Sequence, residues 1–305
     1  MSSVSTAKKV WLITGASSGL GLEMALSALR AGHRVIGTGR NISKAASDHP
    51  QFSKLGGQWL QLDVAHPTAQ DTLAKIVVDE EKLVNETPLH WVIVNNAGNT
   101  LLGAVEDMSE EQISSYLQTN MFGTIRVWKA MLPALRRQRQ GTLITISSIW
   151  GFVPKCEHMM YSAVKATTES LSESYASLLA PFGVRTLIVE PGGFRTSFAS
   201  NSSKADGGVT EDYQKRISAW IDIVDGAGND PNMVNGDPEL FGQRILEAVE
   251  GSEAFQEVWA QHNIEKPLRL QLGSDCYAIF GEKLKDILSD YERVAAIAKS
   301  TDVRN

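Results

Sequence analysis

The sequence contains little cysteine: Cys156 and Cys276 are the only two among 305 residues. Two cysteines cannot build a disulfide framework, and such scarcity is typical of proteins from a reducing compartment. No apolar run approaches the roughly 18 residues that a membrane-spanning helix needs. The first residues lack the apolar core of a signal peptide, and the last match no lipidation or retention signal. We therefore expect a cytoplasmic protein without a membrane span.

Basic residues are outnumbered, because 29 Lys and Arg stand against 35 Asp and Glu and give a net charge of −6. This balance argues against partners such as nucleic acid or an anionic membrane surface. His, Cys and carboxylate residues show no metal-ligand spacing, so no metal site is predicted. The apolar fraction of 43% and charged fraction of 21% are ordinary for a globular protein. Neither a repeat nor a domain boundary is visible, so we expect one domain over residues 1–305.

Short apolar runs alternate with segments of helical periodicity along most of the chain. The predicted strands are residues 10–13, 34–38, 59–62, 91–94, 142–146, 184–189 and 268–272. The predicted helices are residues 22–29, 69–84, 110–131, 159–180, 239–249 and 275–298. Continuously apolar strands that alternate with helices indicate an α/β fold: a single doubly wound Rossmann domain, with a parallel sheet of about seven strands and helices on both faces. Residues 197–237 are interrupted by glycines, and an irregular segment of this length is usually a functional lid or partly mobile.

A glycine-rich loop follows the first predicted strand directly. It reads T-G-A-S-S-G-L-G over residues 14–21, and a predicted helix follows it. Glycines allow a tight turn and close approach of the backbone, and a helix N-terminus offers free N–H groups to a pyrophosphate. The spacing G-x-x-x-G-x-G differs from the commoner G-x-G-x-x-G. Both dinucleotide binding and a simple glycine turn therefore remain open at this point.

Polar residues also follow the next strands. A carboxylate after the second strand would select NAD, but this sequence has Arg40, whose guanidinium suits the 2′-phosphate of NADP(H). A surface arginine in a loop is the alternative. Asp63 follows the third strand and could accept a hydrogen bond from an adenine amino group or cap the next helix. Asn95 and Asn96 begin a polar turn after the fourth strand.

Three hydroxyl and amino groups near the middle of the chain suggest proton-transfer chemistry. Ser148 follows a buried strand, Tyr161 comes thirteen residues later, and Lys165 lies four residues beyond it. A four-residue step is about one helical turn, so the phenol and the ammonium share a helix face. A free Tyr titrates near about 10, and a neighbouring cation lowers that pKa. The spacing therefore predicts an acid or base that works near neutral pH, although a chance Tyr and Lys pair on an exposed helix is the alternative.

Several other residues near this group invite an interpretation. Asn120 lies inside a predicted helix, where its side chain is either exposed to solvent or positioned so that its amide makes a specific contact. Cys156 is interpreted as a pocket-wall or loop residue, and His158 as a helix-start or surface residue. The candidate pocket residues are Phe152, Val153, Met159, Phe194, Phe198 and Trp220. Because most of them are apolar, they predict a hydrophobic carbonyl or alcohol substrate, unless they belong to the core.

Six motifs together resemble the classical short-chain dehydrogenase/reductase family. They are T-G-A-S-S-G-L-G at 14–21, N-N-A-G at 95–98, Asn120, Ser148, Y-S-A-V-K at 161–165 and P-G-G-F-R-T at 191–196. Their order and spacing are those of the family. The extra length around 197–236 and 252–266 is similar to longer members, namely retinol- and hydroxysteroid-dehydrogenase-like reductases and secondary-metabolite ketoreductases. These two regions resemble nothing that identifies a substrate.

The resemblance implies an NADP(H)-dependent oxidoreductase and a role for each matching residue. In the catalytic set, Tyr161 would be the general acid or base, Ser148 would bind the substrate oxygen, and Asn120 would hold a relay water. Lys165 would bind the nicotinamide ribose and lower the pKa of Tyr161. The remaining cofactor positions are Gly15, Ser17, Leu20 and Gly21 for the pyrophosphate, Arg40 for the 2′-phosphate, Asp63 for adenine, Asn96 beside the adenosine ribose and Thr196 for the carboxamide.

The resemblance leaves two alternatives to the oxidoreductase open. A non-catalytic NADP-binding sensor or scaffold on the same fold would have no need of the intact Ser148, Tyr161, Lys165 and Asn120 set. A dehydratase or isomerase could use the same Tyr and Lys pair, and its product would have an unchanged redox state.

The family also implies a homodimer or homotetramer, and the sequence does not decide between the two.

Overall fold

The computed structural model describes residues 8–83 and 88–303. The strands in these ranges are β1 (Val10–Ile13), β2 (Arg34–Gly39), β3 (Gln58–Gln61), β4 (Trp91–Asn95), β5 (Leu101–Leu102), β6 (Gly141–Ile146), β7 (Val184–Pro191), β8 (Ser203–Lys204) and β9 (Leu268–Leu272). The helices are α1 (Gly19–Arg30), α2 (Ile42–Asp48), α3 (Pro50–Lys54), α4 (Ala69–Leu83), α5 (Glu110–Leu117), α6 (Gly123–Gln138), α7 (Ile149–Phe152), α8 (Met159–Leu179), α9 (Gln214–Asn229), α10 (Pro238–Glu250), α11 (Glu253–Gln261) and α12 (Ser274–Lys299).

Seven parallel strands form the main sheet in the order β3-β2-β1-β4-β6-β7-β9. Each of the seven predicted strands recurs in it, so the predicted α/β class and doubly wound sheet are confirmed. The strand order reverses between β1 and β4. In sheets of this kind the ligand crevice lies at the carboxyl ends of the strands beside that reversal. The motifs predicted to bind a cofactor follow these strand ends.

The side chains of β1 explain why its sequence is apolar without alternation. Trp11 and Ile13 pack into the cluster under α1 and α10, whereas Val10 and Leu12 pack into the cluster under α4 and α6. A strand that is covered on both faces must be apolar at every position. Helices therefore cover both sides of the sheet, and the core is divided into two layers by it.

Two predicted helices, those over residues 69–84 and 110–131, end or break at other residues than the sequence predicted. The helix predicted over 69–84 ends at Leu83, and Val84 lies outside the described residues. The helix predicted over 110–131 is interrupted by a π-helical turn at Gln118–Phe122, and α6 then continues to Gln138. Such π-helical turns inside helices are frequent at functional sites. The interruption matters here because Asn120 lies within it.

The segment 197–237 contains more helix than the sequence predicted. Helix α9 spans Gln214–Asn229 and buries Ile217, although Gly226 and Gly228 lie in its last turns. The irregular interpretation was therefore wrong for this part, since these glycines lie where the helix ends and do not break its apolar face. The short strand β8 pairs with β5 and ties the start of the segment to the body of the protein. No helix among the described residues combines the length and hydropathy needed to cross a bilayer.

Candidate active site

Ser148, Tyr161 and Lys165 meet at the carboxyl end of β6. Ser148 begins α7, where its hydroxyl accepts a hydrogen bond from Trp150 N at 3.2 Å. Tyr161 lies in the first turn of α8 and interacts through its hydroxyl with Ser148. Lys165 Nζ donates to Ile146 O at 2.7 Å and lies 5.6 Å from the centre of the Tyr161 ring. The strand end and the helix start thus bring together three residues that the sequence grouped by spacing.

Burial dominates the titration of this group. It raises the pKa of Tyr161 to about 12, against a lowering by the hydrogen bond with Ser148. It also lowers the pKa of Lys165 to about 8, because the charged ammonium is disfavoured away from water. The prediction that Lys165 lowers the pKa of Tyr161 is wrong for the protein alone. Burial of the phenol is the largest cause of its raised pKa, and Lys165, whose ammonium donates to Ile146 O, is not among the groups that lower it.

A buried carboxylate cluster, which the sequence analysis missed, lies behind Lys165. Glu169 is one turn further along α8 and accepts a hydrogen bond from Arg269 Nη1 at 3.0 Å. The same guanidinium contacts Glu190, which is fully buried and whose pKa is raised to about 7 by burial. The repeated four-residue step from Tyr161 to Lys165 to Glu169 was the signal that could have indicated this continuation. No group of three or more His, Cys, Asp or Glu in the described ranges is arranged to hold a metal ion.

His158 connects the start of α8 to α9. Its Nε2 accepts a hydrogen bond from Trp220 Nε1 at 2.7 Å, and its Nδ1 lies 2.9 Å from Thr100 Oγ1. An indole N–H can only donate, so the neutral ring carries its proton on Nδ1. Its centre lies 5.7 Å from that of Tyr161, and Phe198 flanks the same phenol at 6.0 Å. His158 begins the helix as predicted, but it is buried and not a surface residue.

Acid is expected to destabilise the fold partly through His158. Burial lowers the pKa of His158 to about 4 from its ordinary 6.5, so the folded state binds fewer protons than the unfolded state between these values. The neutral ring therefore contributes fully above pH 6.5 and loses its contribution as the pH falls towards 4. The loss is on the order of 3 kcal/mol. His90, whose pKa burial also lowers to about 4, acts in the same direction.

Urea unfolding of wild type, His158→Gln and His66→Gln measures this contribution. The unfolding free energy of His158→Gln should fall less between about pH 7 and pH 4 than that of wild type. The exposed His66 serves as the control, and its variant should follow the wild-type slope. Identical slopes for all three proteins would contradict the assignment.

Asn120 fixes the turn that follows β4. Its Oδ1 accepts from Asn99 N at 2.9 Å, and its Nδ2 donates to Asn99 Oδ1 at 2.8 Å and to Tyr116 O at 3.1 Å. A Cβ atom at Gly98 would lie 2.7 Å from the same Oδ1, which explains why this position has no side chain. Both amide hydrogens are used by the protein, and Oδ1 keeps one lone pair for a further donor.

The glycine loop has the geometry of an anion cradle. Gly15 adopts a φ of +64°, and a Cβ at Gly21 would lie 2.4 Å from Gly15 O. Asn96 Nδ2 braces the loop by donating to Thr14 O at 2.9 Å and to Gly15 O at 3.1 Å. Ser18 precedes α1 without a side-chain capping bond, and the first turn of α1 carries no acidic residue. Its N–H groups are thus available to a negatively charged ligand, so the loop fits a pyrophosphate.

Three further predicted cofactor residues lie within this loop or beside it: Ser17, Leu20 and Thr196. A Cβ at Gly39 would lie 3.2 Å from the Cβ of Ser17, so the loop passes over the end of β2. A Cβ at Gly19 would lie 3.4 Å from Thr196, which follows β7. Leu20 is half-buried and packs against the core beneath α1. The structure thus brings the ends of β1, β2, β4 and β7 together around the loop.

Arg40 and Asp63 line one cavity of about 390 Å³. The exposed Arg40 makes no hydrogen bond or ion pair with any described residue. Asp63 Oδ1 accepts from Ala65 N at 2.9 Å, and α4 begins only at Ala69. Asp63 therefore does not cap that helix, which removes one of its two alternatives. The cavity presents a cation and a carboxylate to a single ligand.

The candidate pocket residues separate into two groups. Phe198 and Trp220 lie with Tyr161 and His158, and Met159 is exposed at the start of α8. Phe194, by contrast, packs edge-on against Phe241 at 5.0 Å and belongs to the core under α10. The candidates Phe152 and Val153 lie on and just after α7. The ring of Phe152 stacks on that of Phe280 with 4.1 Å between their centres, and the half-buried Val153 ends the helix. Phe194 and Phe152 are thus packing residues, because each one has an aromatic partner away from Tyr161.

Comparison with known proteins agrees with this architecture. The family model of the short chain dehydrogenases matches residues 9–207. The oxidoreductase claN of Passalora fulva is 42% identical over 191 residues, which cover 62% of this chain and 84% of that protein. A 3-ketodihydrosphingosine reductase of Bacteroides thetaiotaomicron is 33% identical over 218 residues, or 71% of this chain and 76% of that protein. The crystal structure of a short-chain dehydrogenase from Streptomyces avermitilis has a TM-score of 0.79 at 30% identity, covering 97% of this chain and 99% of that chain.

The matched residues include the glycine loop, Asn120 and the Ser148, Tyr161 and Lys165 group, all of which lie around one edge of the sheet. The chain therefore belongs to the short-chain dehydrogenase family, whose members are oxidoreductases that use nicotinamide cofactors.

Proposed function

We propose that this protein is an NADP(H)-dependent oxidoreductase that interconverts a ketone or aldehyde and an alcohol on a hydrophobic small molecule. The observation that carries the proposal is the convergence of Ser148, Tyr161 and Lys165 at the end of β6. When bound, the cofactor supplies or accepts the hydride. The residues of this chain bind and orient both molecules and move the proton.

Tyr161 is the proton donor in this proposal. Burial keeps its phenol protonated at neutral pH, since its pKa is raised to about 12. A general acid must be protonated before it donates, and the phenol of Tyr161 meets that condition at neutral pH. Ser148 orients the substrate oxygen towards Tyr161, and Lys165 binds the nicotinamide ribose hydroxyls. Asn120 places a relay water with the remaining lone pair of its Oδ1.

The cofactor contacts follow from the same edge of the sheet. Gly15, Ser17, Leu20 and Gly21 surround the pyrophosphate at the N-terminus of α1. Arg40 pairs with the 2′-phosphate in the cavity that it shares with Asp63, and this charge preference supports NADP(H) over NAD(H). Asn96 supports the loop beside the adenosine ribose, and Thr196 holds the carboxamide.

The substrate side of the site is aromatic. Phe198 and the His158 and Trp220 pair stand beside the phenol of Tyr161. His158 and Trp220 belong to different segments. His158 precedes α8, whereas Trp220 lies on α9 within residues 197–237. An ion pair of 2.9 Å between Arg216 and Glu157 further ties α9 to the loop before α8. We infer that residues 197–237 are a substrate lid and that their aromatic wall accepts an apolar carbonyl compound, as the name of the 3-ketodihydrosphingosine reductase relative suggests for that protein.

Truncation of Trp220 is expected to select against bulky apolar substrates. Trp220→Ala should lower kcat/KM for such a ketone by about 10- to 100-fold, since burial of an aromatic side chain contributes roughly 1.5–3 kcal/mol. The effect should appear mainly in KM and be small for a short ketone. Leu178→Ala, an exposed truncation on α8, is the matched control and should leave both substrates unaffected. Equal losses for short and bulky ketones would contradict the aromatic wall.

The proposed function is tested by NADPH consumption against a panel of aromatic, steroid, retinoid and polyketide-like ketones. Turnover with at least one class, with NADPH loss equal to alcohol formed, is the expected result. Tight NADPH binding without turnover across the panel would favour a sensor instead. A converted substrate without any NADPH loss would indicate a dehydratase or isomerase.

A further inference from the structure

A buried network of charges reaches from the end of β6 to the outer strand β9 and takes no part in the proposed proton transfer. At its centre, Glu169 Oε2 accepts a hydrogen bond from Arg269 Nη1 at 3.0 Å, and its Oε1 accepts one from the hydroxyl of Ser147. The same guanidinium contacts Glu190, and both carboxylates are at most 4% exposed. Buried charges are costly, and well-packed apolar side chains often stabilise a fold equally well. Stability alone therefore does not account for this network.

Glu169 lies beside two residues of the candidate active site. Lys165 is one turn earlier on α8, and Ser147 directly precedes Ser148 after the end of β6. Gly151 of α7 passes close to all three side chains, because a Cβ atom there would collide with Glu169 Oε1. The same atom would lie 2.7 Å from Ser147 Oγ and 3.0 Å from Lys165 Cβ. The carboxylate, the hydroxyl and the lysine side chain are thus packed around one point.

The charge of Lys165 depends on this carboxylate. Lys165 Nζ donates to Ile146 O at 2.7 Å, and an ammonium keeps two further N–H groups for a ligand. Burial lowers the pKa of Lys165 to about 8, and the charge of Glu169 is what raises it. Without that charge, the buried ammonium would lose its proton at a lower pH.

The other elements packed against α8 offer no replacement for this charge. Tyr161, on α8 itself, has a phenol whose pKa is raised to about 12 and which is neutral at neutral pH. Strand β7 contributes Glu190 and, near its opposite end, Arg185, and β9 contributes Arg269. Strands β5 and β6, helix α7 and the π-helical turn carry no titratable side chain. None of these groups shifts the pKa of Lys165, which leaves the carboxylate on α8.

We propose that Glu169 is a positioning residue: its carboxylate, anchored by Ser147 and Arg269, keeps the ammonium one turn earlier on α8 charged for the nicotinamide ribose. This role rests on the proposed function, which assigns Lys165 to the ribose hydroxyls. An ammonium offers three hydrogen-bond donors at that place, and a neutral amine offers fewer. Arg269 also pairs with Glu190, so it fixes the Glu169 carboxylate without compensating its charge completely.

NMR of the protein labelled with ¹³C at the lysine Cε measures the charge of Lys165 directly. Lys165→Arg identifies the resonance by its absence. In wild type this resonance should titrate near pH 8, and in Glu169→Gln it should titrate about one pH unit lower, since an opposite charge nearby favours the ammonium. Glu169→Asp retains the charge and should restore most of the wild-type titration.

Glu173→Gln is the matched control for Glu169→Gln. Glu173 lies one turn beyond Glu169 on the same helix and pairs with the same guanidinium of Arg269 at 2.6 Å. Its side chain is 49% exposed, however, and it lies two turns from Lys165. The control variant should leave the Lys165 titration unchanged, which separates the charge of Glu169 from a general loosening of the network. Circular dichroism and the urea midpoint verify that each variant is folded.

The pH dependence of NADPH affinity provides a second readout. Glu169→Gln should bind NADPH almost as tightly as wild type at about pH 6. Above about pH 8 its affinity should be up to about tenfold weaker, because a titration one pH unit lower leaves a tenth as much ammonium. Structural damage without a change in charge would instead weaken binding equally at both pH values.

A Lys165 resonance that titrates at the same pH in wild type and Glu169→Gln would overturn the proposal. An equal loss of NADPH affinity at about pH 6 and about pH 9 would overturn it as well. A neutral Lys165 amine in wild type at pH 7 would also contradict it, and this result requires no variant of Glu169 to fold. Neither readout needs turnover of a ketone, so a negative substrate panel would overturn the proposed function and leave this test intact.

Discussion

Tyr161→Phe is expected to lower kcat by about 100- to 10,000-fold, the range that general acid catalysis contributes. The substitution removes only the hydroxyl that interacts with Ser148 and preserves the ring between His158 and Phe198. NADPH affinity should fall far less than kcat, because most proposed cofactor contacts come from the glycine loop and Arg40. Single-turnover kinetics with an accepted ketone, together with NADPH titration, separates the two effects.

Tyr175→Phe is the matched control for this experiment. Tyr175 lies on the same helix and packs edge-on against Trp128, away from Ser148. Its variant should retain wild-type kcat. A Tyr161→Phe protein with kcat within about threefold of wild type would exclude the phenol as the proton donor.

Arg40→Ser is expected to weaken NADPH binding by about 10- to 150-fold, which corresponds to the roughly 1.5–3 kcal/mol of a hydrogen bond to a charged group. The guanidinium lines the cavity with Asp63 and is not engaged by any described residue, so it is available to the 2′-phosphate. NADH binding should stay the same or improve, because NADH has no phosphate at that position. Titration of the nicotinamide fluorescence with each cofactor measures both affinities.

Lys44→Ser is the control for net charge. Lys44 lies on α2 close in sequence to Arg40, but its ammonium pairs with Asp48. This variant should leave the ratio of NADPH to NADH affinity unchanged. Wild-type protein that binds NADH as tightly as NADPH would contradict the assignment of Arg40.

Local features of the sequence predicted much of the site. The spacing of Tyr161 and Lys165 on one helix, and the position of the glycine loop between a strand and a helix, depend only on neighbours along the chain. Parallel strands that end at one edge then bring Arg40 and Thr196 towards the same loop. Helix periodicity and strand burial therefore carried the prediction of these elements.

Contacts between distant segments could not be predicted in this way. The Trp220 and His158 hydrogen bond joins residues on α9 and at the start of α8, and the Arg269 and Glu169 contact joins β9 and α8. Neither follows from a pattern in one segment. The pKa of Tyr161 was mispredicted for the same reason, because its burial depends on side chains from several elements while the sequence shows only the nearby Lys165.

Transfer of deuterium from NADPH that carries deuterium at both positions of the reactive carbon of its nicotinamide ring is the most direct test of the central claim. After incubation with an accepted ketone, mass spectrometry of the alcohol should show one deuterium on the former carbonyl carbon. The label should be absent from the product of parallel reactions with unlabelled NADPH. A product that carries no deuterium, or whose redox state equals that of the substrate, would contradict hydride transfer by this protein.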